Sequence, residues 1–465
     1  MSQPQQVGGD DKIKLDFAVI GGGVAGLSCA IALGRIGHRV TVIEKNDSML
    51  NAAAGRGVRM PPNLTKILLH WGLQDQLRAI SVKSEAIQIL LGNTGELLGT
   101  HRWDEELLKE TRGEYLFAHL SDLLGLLYDE AIRCGADIRV GTTALSIDPA
   151  EGTIALDFGG VLHADVIVGA DGVAGLSRSI LLQEELAEEG DIEKSADRQL
   201  MWMYSATIPK GAILNDAALK PLYDEAQTTL FCWLGHGRSV VGYPLGGTEE
   251  FAICAYGPYD ADQTLADGMR ETMEHTEPRL QNLLPLLSSL QRHPVMQCQP
   301  LDDWVSQSSR LVIVGTAAHP IPPGSIQESA MAVEDGAVLA RLFSRLDSRD
   351  QIGQFLWAFQ DIRQPRCAAA TESETNIMYY TCMPAGEEQE ARDQGMRAKL
   401  AAGVEVLQAG ADQEETPEWQ EVKEVFGYDA EDEADDWWVK WGSLRYKSTG
   451  SALGFPVVQV EKTVS

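Results

Sequence analysis

The sequence predicts an α/β protein: a Rossmann-type nucleotide-binding domain, interrupted by an antiparallel β-sheet domain and followed by a helical tail. Three observations predict it. Residues 17–44, FAVIGGGVAGLSCAIALGRIGHRVTVIE, read as strand, glycine-rich turn, helix and strand, closed by the acid Glu44. Two later apolar strands, in Asp165–Gly172 and Arg310–Val314, each run into a turn or loop. Between them, Leu200–Ile208, Thr229–Leu234, Ser239–Tyr243 and Phe251–Tyr256 are strand patterns in succession, which suggests a second domain inserted into the first.

Within the opening motif each glycine has a distinct task. Gly21 allows the tight turn, Gly23 lets a pyrophosphate approach the backbone, and Gly26 lets helix pack on strand. The helix N-terminus offers free N–H groups and partial positive charge to phosphates. Glu44 can accept hydrogen bonds from the adenosine ribose. A structural glycine turn in another α/β fold is the alternative; the flanking strand, helix and acid favour the nucleotide site. The motif alone suits NAD and FAD equally.

The totals bound the rest. A chain of 465 residues suits two or three domains. A net charge of -30 opposes nucleic acid or an anionic membrane as partner. Seven scattered cysteines without a CxxC suit reduced thiols, not a disulfide framework or a metal site. The N-terminus has no apolar signal region, and no run of about 18 uncharged apolar residues occurs. A cytoplasmic protein that binds small molecules is the expectation.

In chain order, residues 1–11 read as a polar, disordered arm. Leu15–Ile20 and Arg39–Ile43 read as buried parallel strands, with Gly37 as a helix C-cap. Gly55 and Gly57 mark a loop, and Pro61, Pro62 and Asn63 open a helix with Leu64, Ile67, Leu68 and Trp71 on one face. Ile87–Leu98 is a hairpin around Asn93-Thr94-Gly95. Helix Leu120–Cys134, strand Asp137–Val140 and a hairpin of Thr153–Phe158 with Val161–His163 follow. EELAEEGDIEK, residues 184–194, reads as a solvated acidic loop, and 264–290 as helical. A long helix is expected over Gln327–Leu346. The tail after 385 is Glu-rich, and Trp437, Trp438 and Trp441 are expected to pack back onto the body.

Two further stretches bear on the cofactor. Asp171-Gly172, with Arg178 six residues on, can bring a carboxylate and a cation to a pyrophosphate, although an ordinary Asp-Gly turn looks the same. RLVIVGTAAHPIPPGSIQESAMAVEDGAVLA, residues 310–340, reads as strand, proline-braced loop and helix, with Ser325 and Glu328 at capping-box spacing. A second helix N-terminus aimed at the cleft could stabilise negative charge on a reduced isoalloxazine, which a flavin needs and a nicotinamide does not.

Taken in order, GGGVAG…E, GADG…R and G-x-A-x-H-P…P…Q…E-D resemble the FAD-dependent aromatic hydroxylases, single-component flavoprotein monooxygenases of the salicylate-hydroxylase-like type found in fungal secondary metabolism. The resemblance spans about residues 15–385, and the acidic tail is similar to that of fungal members. It implies a FAD-binding domain over 12–85, 111–183 and 300–385, a substrate-binding domain over 86–110 and 184–299, and an acidic extension over 386–465. It also implies a monooxygenase that uses transiently bound NAD(P)H and O2 to hydroxylate or epoxidise an aromatic, phenolic or alkene natural product. Departures accompany it. Thr316 stands where the family has Asp, Ile326-Gln327-Glu328 where it has G-Q-G, Leu120 and Ser205 where arginines are usual, and Gly175 where a serine is. They keep a second reading open, in which the fold serves as a non-redox cyclase or isomerase.

The cofactor candidates are therefore Gly21, Gly23, Gly26, Glu44, Arg56, Gly57, Asp171, Arg178, Thr316 and Glu328, with Arg59 a lesser version of Arg56. The catalytic candidates are Tyr243, to bond a substrate oxygen or else serve the core, and His319, to bond substrate or flavin or else fix its loop. His236 and Arg238 read as a solvated turn.

Overall fold

The computed structural model describes residues 13–49, 53, 55–189, 197–225, 227–247, 249–407 and 417–442. A five-stranded parallel sheet runs in the order Leu311–Ile313, Val166–Gly169, Asp16–Ile20, Arg39–Ile43, Asp137–Arg139. Phe17, Val19, Ile167 and Val312 are buried, as a sheet covered on both faces requires. Helix Val24–Arg35 packs between helices Leu120–Arg133 and Glu328–Phe343. Gly37, at φ +97°, closes the first helix as expected.

The second large sheet has seven strands, ordered Ser288–Gln297, Arg198–Pro209, Glu250–Pro258, Ser239–Leu245, Thr229–Leu234, Ala86–Leu91, Leu97–Arg102. It is antiparallel except where Thr229–Leu234 runs parallel to Ala86–Leu91. Side chains alternate between its faces. Met203, Tyr243, Cys254 and Tyr256 pack with Tyr115 and Phe117. Tyr204, Phe231, Trp233 and Phe251 pack on the opposite face with Met269 and Leu280 of two short helices. Between the large sheets lies a small one, formed by Gly57–Met60, Leu116–His119 and Ser81–Lys83. A hairpin sheet of Ala144–Asp148, Thr153–Leu156 and Val161–His163 flanks the parallel sheet.

Several expectations are corrected. Residues 184–189 are not a loop but the end of helix Leu176–Glu189. There Leu181 and Glu185 are buried one turn apart, and Glu185 accepts hydrogen bonds from Asp302 N and Asp303 N. Residues 190–194, like the N-terminal arm, lie outside the described residues. Residues 288–290 are strand, not helix, because Ser288–Gln297 pairs along Arg198–Pro209 as a sheet edge, where Pro294 is tolerated. Gly57 opens a strand instead of sitting in a loop.

The tail docks as anticipated. Helix Ile352–Thr381 leads to helices Glu387–Ala401, Pro417–Gly427 and Ala430–Trp437. Lys66 Nζ donates to Gly427 O at 2.9 Å, and the Arg366 guanidinium lies 4.2 Å from the Tyr428 ring centroid. Asp435 pairs with Arg341 and Arg345. Trp437 and Trp438 pack against the core, whereas Trp441 stays 60% exposed. Among the described residues no helix is long and apolar enough to cross a membrane.

Candidate active site

A cleft of about 410 Å³ opens at the C-terminal ends of the parallel strands, lined by Gly21, Gly23, Glu44, Lys45, Asp171 and Gly172 among others. The three glycines differ in their surroundings. A Cβ on Gly21, at φ +105°, would sit 2.3 Å from Ala170 O, and one on Gly26 would sit 1.9 Å from Gly21 O. At Gly23, the N-cap of the motif helix, a Cβ would meet nothing within 4 Å among the described residues. That open space at a helix N-terminus is the one a pyrophosphate needs. Glu44 accepts from Gly22 N at 2.8 Å and from Asn46 N and Nδ2 at 2.8 and 2.6 Å, which fixes the carboxylate at the cleft wall.

Asp171 caps the next helix: its Oδ2 accepts from Ser177 N at 3.0 Å and Oγ at 3.2 Å. Its Oδ1 is buried without a partner among the described residues, and burial pushes its carboxyl above the usual carboxylate range. Arg178 points away from this cleft. It donates to Ala317 O at 2.8 Å and to Gln299 O, and so braces the loop carrying Thr316. Thr316 is half-buried across from Gly172, its Oγ1 3.7 Å from where a Cβ there would lie.

Beyond Thr316 the loop leads to helix Glu328–Phe343. Ser325 does not cap it. The N-cap is Gln327, and Ser325 Oγ has no partner among the described residues. Glu328 turns elsewhere: its Oε2 accepts from Gly324 N at 2.7 Å and pairs with Arg56 Nη2. The helix N-terminus itself is taken by Glu374, whose Oε1 accepts from Gln327 N at 2.8 Å. Burial raises the Glu374 carboxyl. Two carboxylates thus stand where positive helix-end charge was expected to be free. Arg59 Nη2 donates to Gly324 O.

His319 lies behind this loop, within a buried ionic network. Its Nε2 is 2.7 Å from Asp335 Oδ2, which also accepts from Gly315 N at 2.8 Å. Arg363, fully buried, donates to Asp335 at 2.8 Å and Glu334 at 2.7 Å. His319, Asp335 and Cys367 bring ligand atoms within 4.8 Å of one another, but Arg363 donates to both Asp335 and Cys367, so a cation already occupies that corner. Burial disfavours the charged imidazole, yet Cys367 and Asp335 outweigh it and raise His319 to about 10. A raised folded pKa stabilises fully below the unfolded value of about 6.5 and fades as pH rises through about 10. The melting temperature of the wild type should therefore fall more steeply between those pH values than that of His319→Gln, as differential scanning calorimetry can read.

On the sheet side, Tyr243 is 1% exposed, its ring centroid 5.0 Å from that of Phe117 and its Oη 4.0 Å from Cys254 Sγ. Gly57 faces it directly; a Cβ there would lie 2.6 Å from Tyr243 Oη. Ser205 shares this face and its Oγ lies 3.3 Å from His293 Nε2; burial, with Arg56 nearby, lowers that imidazole to about 4. Tyr204 points to the opposite face. Leu120, buried, opens its helix and donates its backbone N–H to Arg56 O at 2.9 Å. Sequence reasoning missed His293, Glu374, Asp335 and Arg363. The V-E-D run over 333–335 was the available signal for Asp335, while nothing local marks the others.

Residues 14–374 match the FAD binding domain family. FAD-dependent monooxygenase OpS4 of Beauveria bassiana (strain ARSEF 2860) is 28% identical over 392 residues, covering 82% of this chain and 89% of that protein. The 6-hydroxynicotinate 3-monooxygenase of Bordetella bronchiseptica (strain ATCC BAA-588 / NCTC 13252 / RB50) is 25% identical over 355 residues, covering 76% and 88%. Among solved structures, CtdE in complex with FAD and substrate 4 superposes with a TM-score of 0.73 at 18% identity, covering 93% of this chain and 100% of that one. A salicylate hydroxylase substrate complex gives 0.68 at 18% identity, covering 91% and 97%. With the nucleotide cleft, the family match and these relatives together, the chain belongs to the FAD binding domain family and is an FAD-dependent monooxygenase.

Proposed function

We propose that the enzyme uses NAD(P)H and O2 to hydroxylate or epoxidise an aromatic, phenolic or alkene natural product. The observation that carries this reading is the meeting of two surfaces across the 315–328 loop: the nucleotide cleft on one side, and the aromatic face bearing Tyr243, Tyr256 and Tyr115 on the other. Relatives that include a 3-hydroxybenzoate 6-hydroxylase support an aromatic ring as substrate. The Gly23 helix end would hold the pyrophosphate and Glu44 the ribose. Asp171 and Gly172 would line the next part of the cleft, with Thr316 opposite. Arg178 would keep the Thr316 loop in place without touching phosphate. When bound, FAD supplies the two-electron chemistry by which NAD(P)H reduces O2, one oxygen atom entering the substrate and the other leaving as water. Tyr243 would bond the substrate oxygen, and His319 would hold its loop from behind. The packed aromatic side chains of that face would limit water at the reaction.

The test is an assay with isotopically labelled O2 and extracts of candidate aromatic compounds. The expected result is consumption of one NAD(P)H and one O2 for each product bearing one labelled oxygen. Product formed with no NAD(P)H consumed would overturn this reading in favour of a cyclase or isomerase.

A further inference from the structure

We infer that the C-terminal extension positions the 324–327 loop from a distance, through a relay that runs from Val425 and Tyr428 by way of Arg366, Glu334 and Asn63 to Gln327. The inference rests on the monooxygenase reading, in which that loop lies between the nucleotide cleft and the aromatic face. Helix Pro417–Gly427 of the extension ends against two cations of the body. Lys66 Nζ donates to Gly427 O at 2.9 Å, and Arg366 Nη2 donates to Val425 O at 3.3 Å. Cations at last-turn carbonyls suit a helix C-terminus. The next residue, Tyr428, lays its ring against the Arg366 guanidinium, 4.2 Å from the ring centroid. Arg366 is thus held by the extension on one side.

On the other side the same guanidinium meets Glu334, with Nη2 3.2 Å from Oε1 and Nε 3.4 Å from Oε2. Glu334 is wholly buried. Burial alone would raise its carboxyl, and the charges of Arg366 and Arg363 hold it low. Glu334 Oε1 also accepts from Asn63 Nδ2 at 2.8 Å, and Asn63 Nδ2 donates to Gln327 Oε1 at 2.8 Å. An amide nitrogen carries two hydrogens, and this bridge takes both. Asn63 and Gln327 are buried, so the link is made inside the protein. Gln327 is the N-cap of helix Glu328–Phe343, and its own N–H donates to Glu374. Its side chain therefore answers to Asn63 and, through Glu334 and Arg366, to the extension. Linked hydrogen bonds in a buried network polarise one another, so a loss at one end is felt along the chain. A guanidinium freed of Val425 O and the Tyr428 ring turns to water, which loosens Glu334, Asn63 and Gln327 in series.

Hydrogen–deuterium exchange of the full chain, with and without added FAD, tests the relay. The peptide to read spans Gln327 and Met331, whose N–H groups are both hydrogen-bonded. Tyr428→Leu, which removes the ring face, and Arg366→Gln should each speed exchange there about 10-fold more than in the strand Asp16–Ile20. Tyr428→Phe, which keeps the ring, should match the wild type. Arg366→Lys, which keeps the charge but not the fork, should fall between the wild type and Arg366→Gln. Adding Tyr428→Leu to Arg366→Gln should change little further, since both cut one link. Asp435→Asn, which weakens the next helix of the extension at Arg341 and Arg345, should leave the loop at the wild-type rate. FAD affinity, titrated in parallel, should fall about 3- to 10-fold in Tyr428→Leu and Arg366→Gln. Unchanged exchange or unchanged FAD affinity in those two variants overturns the inference. So does equal acceleration in loop and strand, or acceleration of the same size in Asp435→Asn. Failure of the wild type to take up FAD leaves the exchange result standing and overturns the monooxygenase reading instead.

Discussion

Gly23→Val should abolish FAD binding while leaving the protein folded. The open space at Gly23, with φ -75° and ψ -174°, accepts a branched side chain without strain in the free protein. The same side chain fills the approach to the helix N-terminus. Losing charged hydrogen bonds to a pyrophosphate, at about 1.5–3 kcal/mol each, should weaken FAD at least about 100-fold. Gly26→Ala should behave differently. Its Cβ would overlap Gly21 O at 1.9 Å, so helix and strand must separate. Such overpacking costs about 1–3 kcal/mol or more, so stability and FAD binding should fall together. Calorimetry of both variants beside a FAD titration separates the two outcomes. Equal loss of stability in both would mean that Gly23 faces packing and not ligand.

Arg363→Met should be the most damaging substitution away from the cofactor. Arg363 is wholly buried and holds Glu334 and Asp335, both also buried, with their carboxyls kept low despite burial. Removing it takes donors from Asp335 Oδ1, Glu334 Oε2 and Met331 O, while Arg366 and His319 still pair with the two acids, and costs about 1–3 kcal/mol for each buried acceptor left without a donor. Denaturant unfolding measures it. An Arg363→Met protein within about 1 kcal/mol of the wild type would contradict this.

The nucleotide end was legible because its logic is local. Gly21, Gly23, Gly26 and Glu44 sit within one strand–helix–strand unit, and the turn itself demands each residue type. The flavin end was less legible because its partners are far apart in the chain. Arg56 meets Glu328 and Asn63 meets Gln327 only through tertiary packing. The capping box at Ser325 and Glu328 had the right spacing, yet Gly324 N–H and Arg56 outcompeted the cap for that carboxylate. Ser288–Gln297 was missed as a strand because an edge strand need not alternate and can carry a proline. The acidic stretch ending helix Leu176–Glu189 looked solvated because Glu185 finds its donors at Asp302 and Asp303, more than a hundred residues on.

The central claim is that the Gly21–Glu44 cleft holds the ADP half of FAD. Fluorescence titration of the purified protein with FAD, followed by competition with ADP, tests it most directly. The account predicts saturation at one FAD per chain, displacement by ADP, and no saturation in Gly23→Val. A protein that binds no flavin, or one whose flavin binding is untouched by ADP and by Gly23→Val, would contradict it.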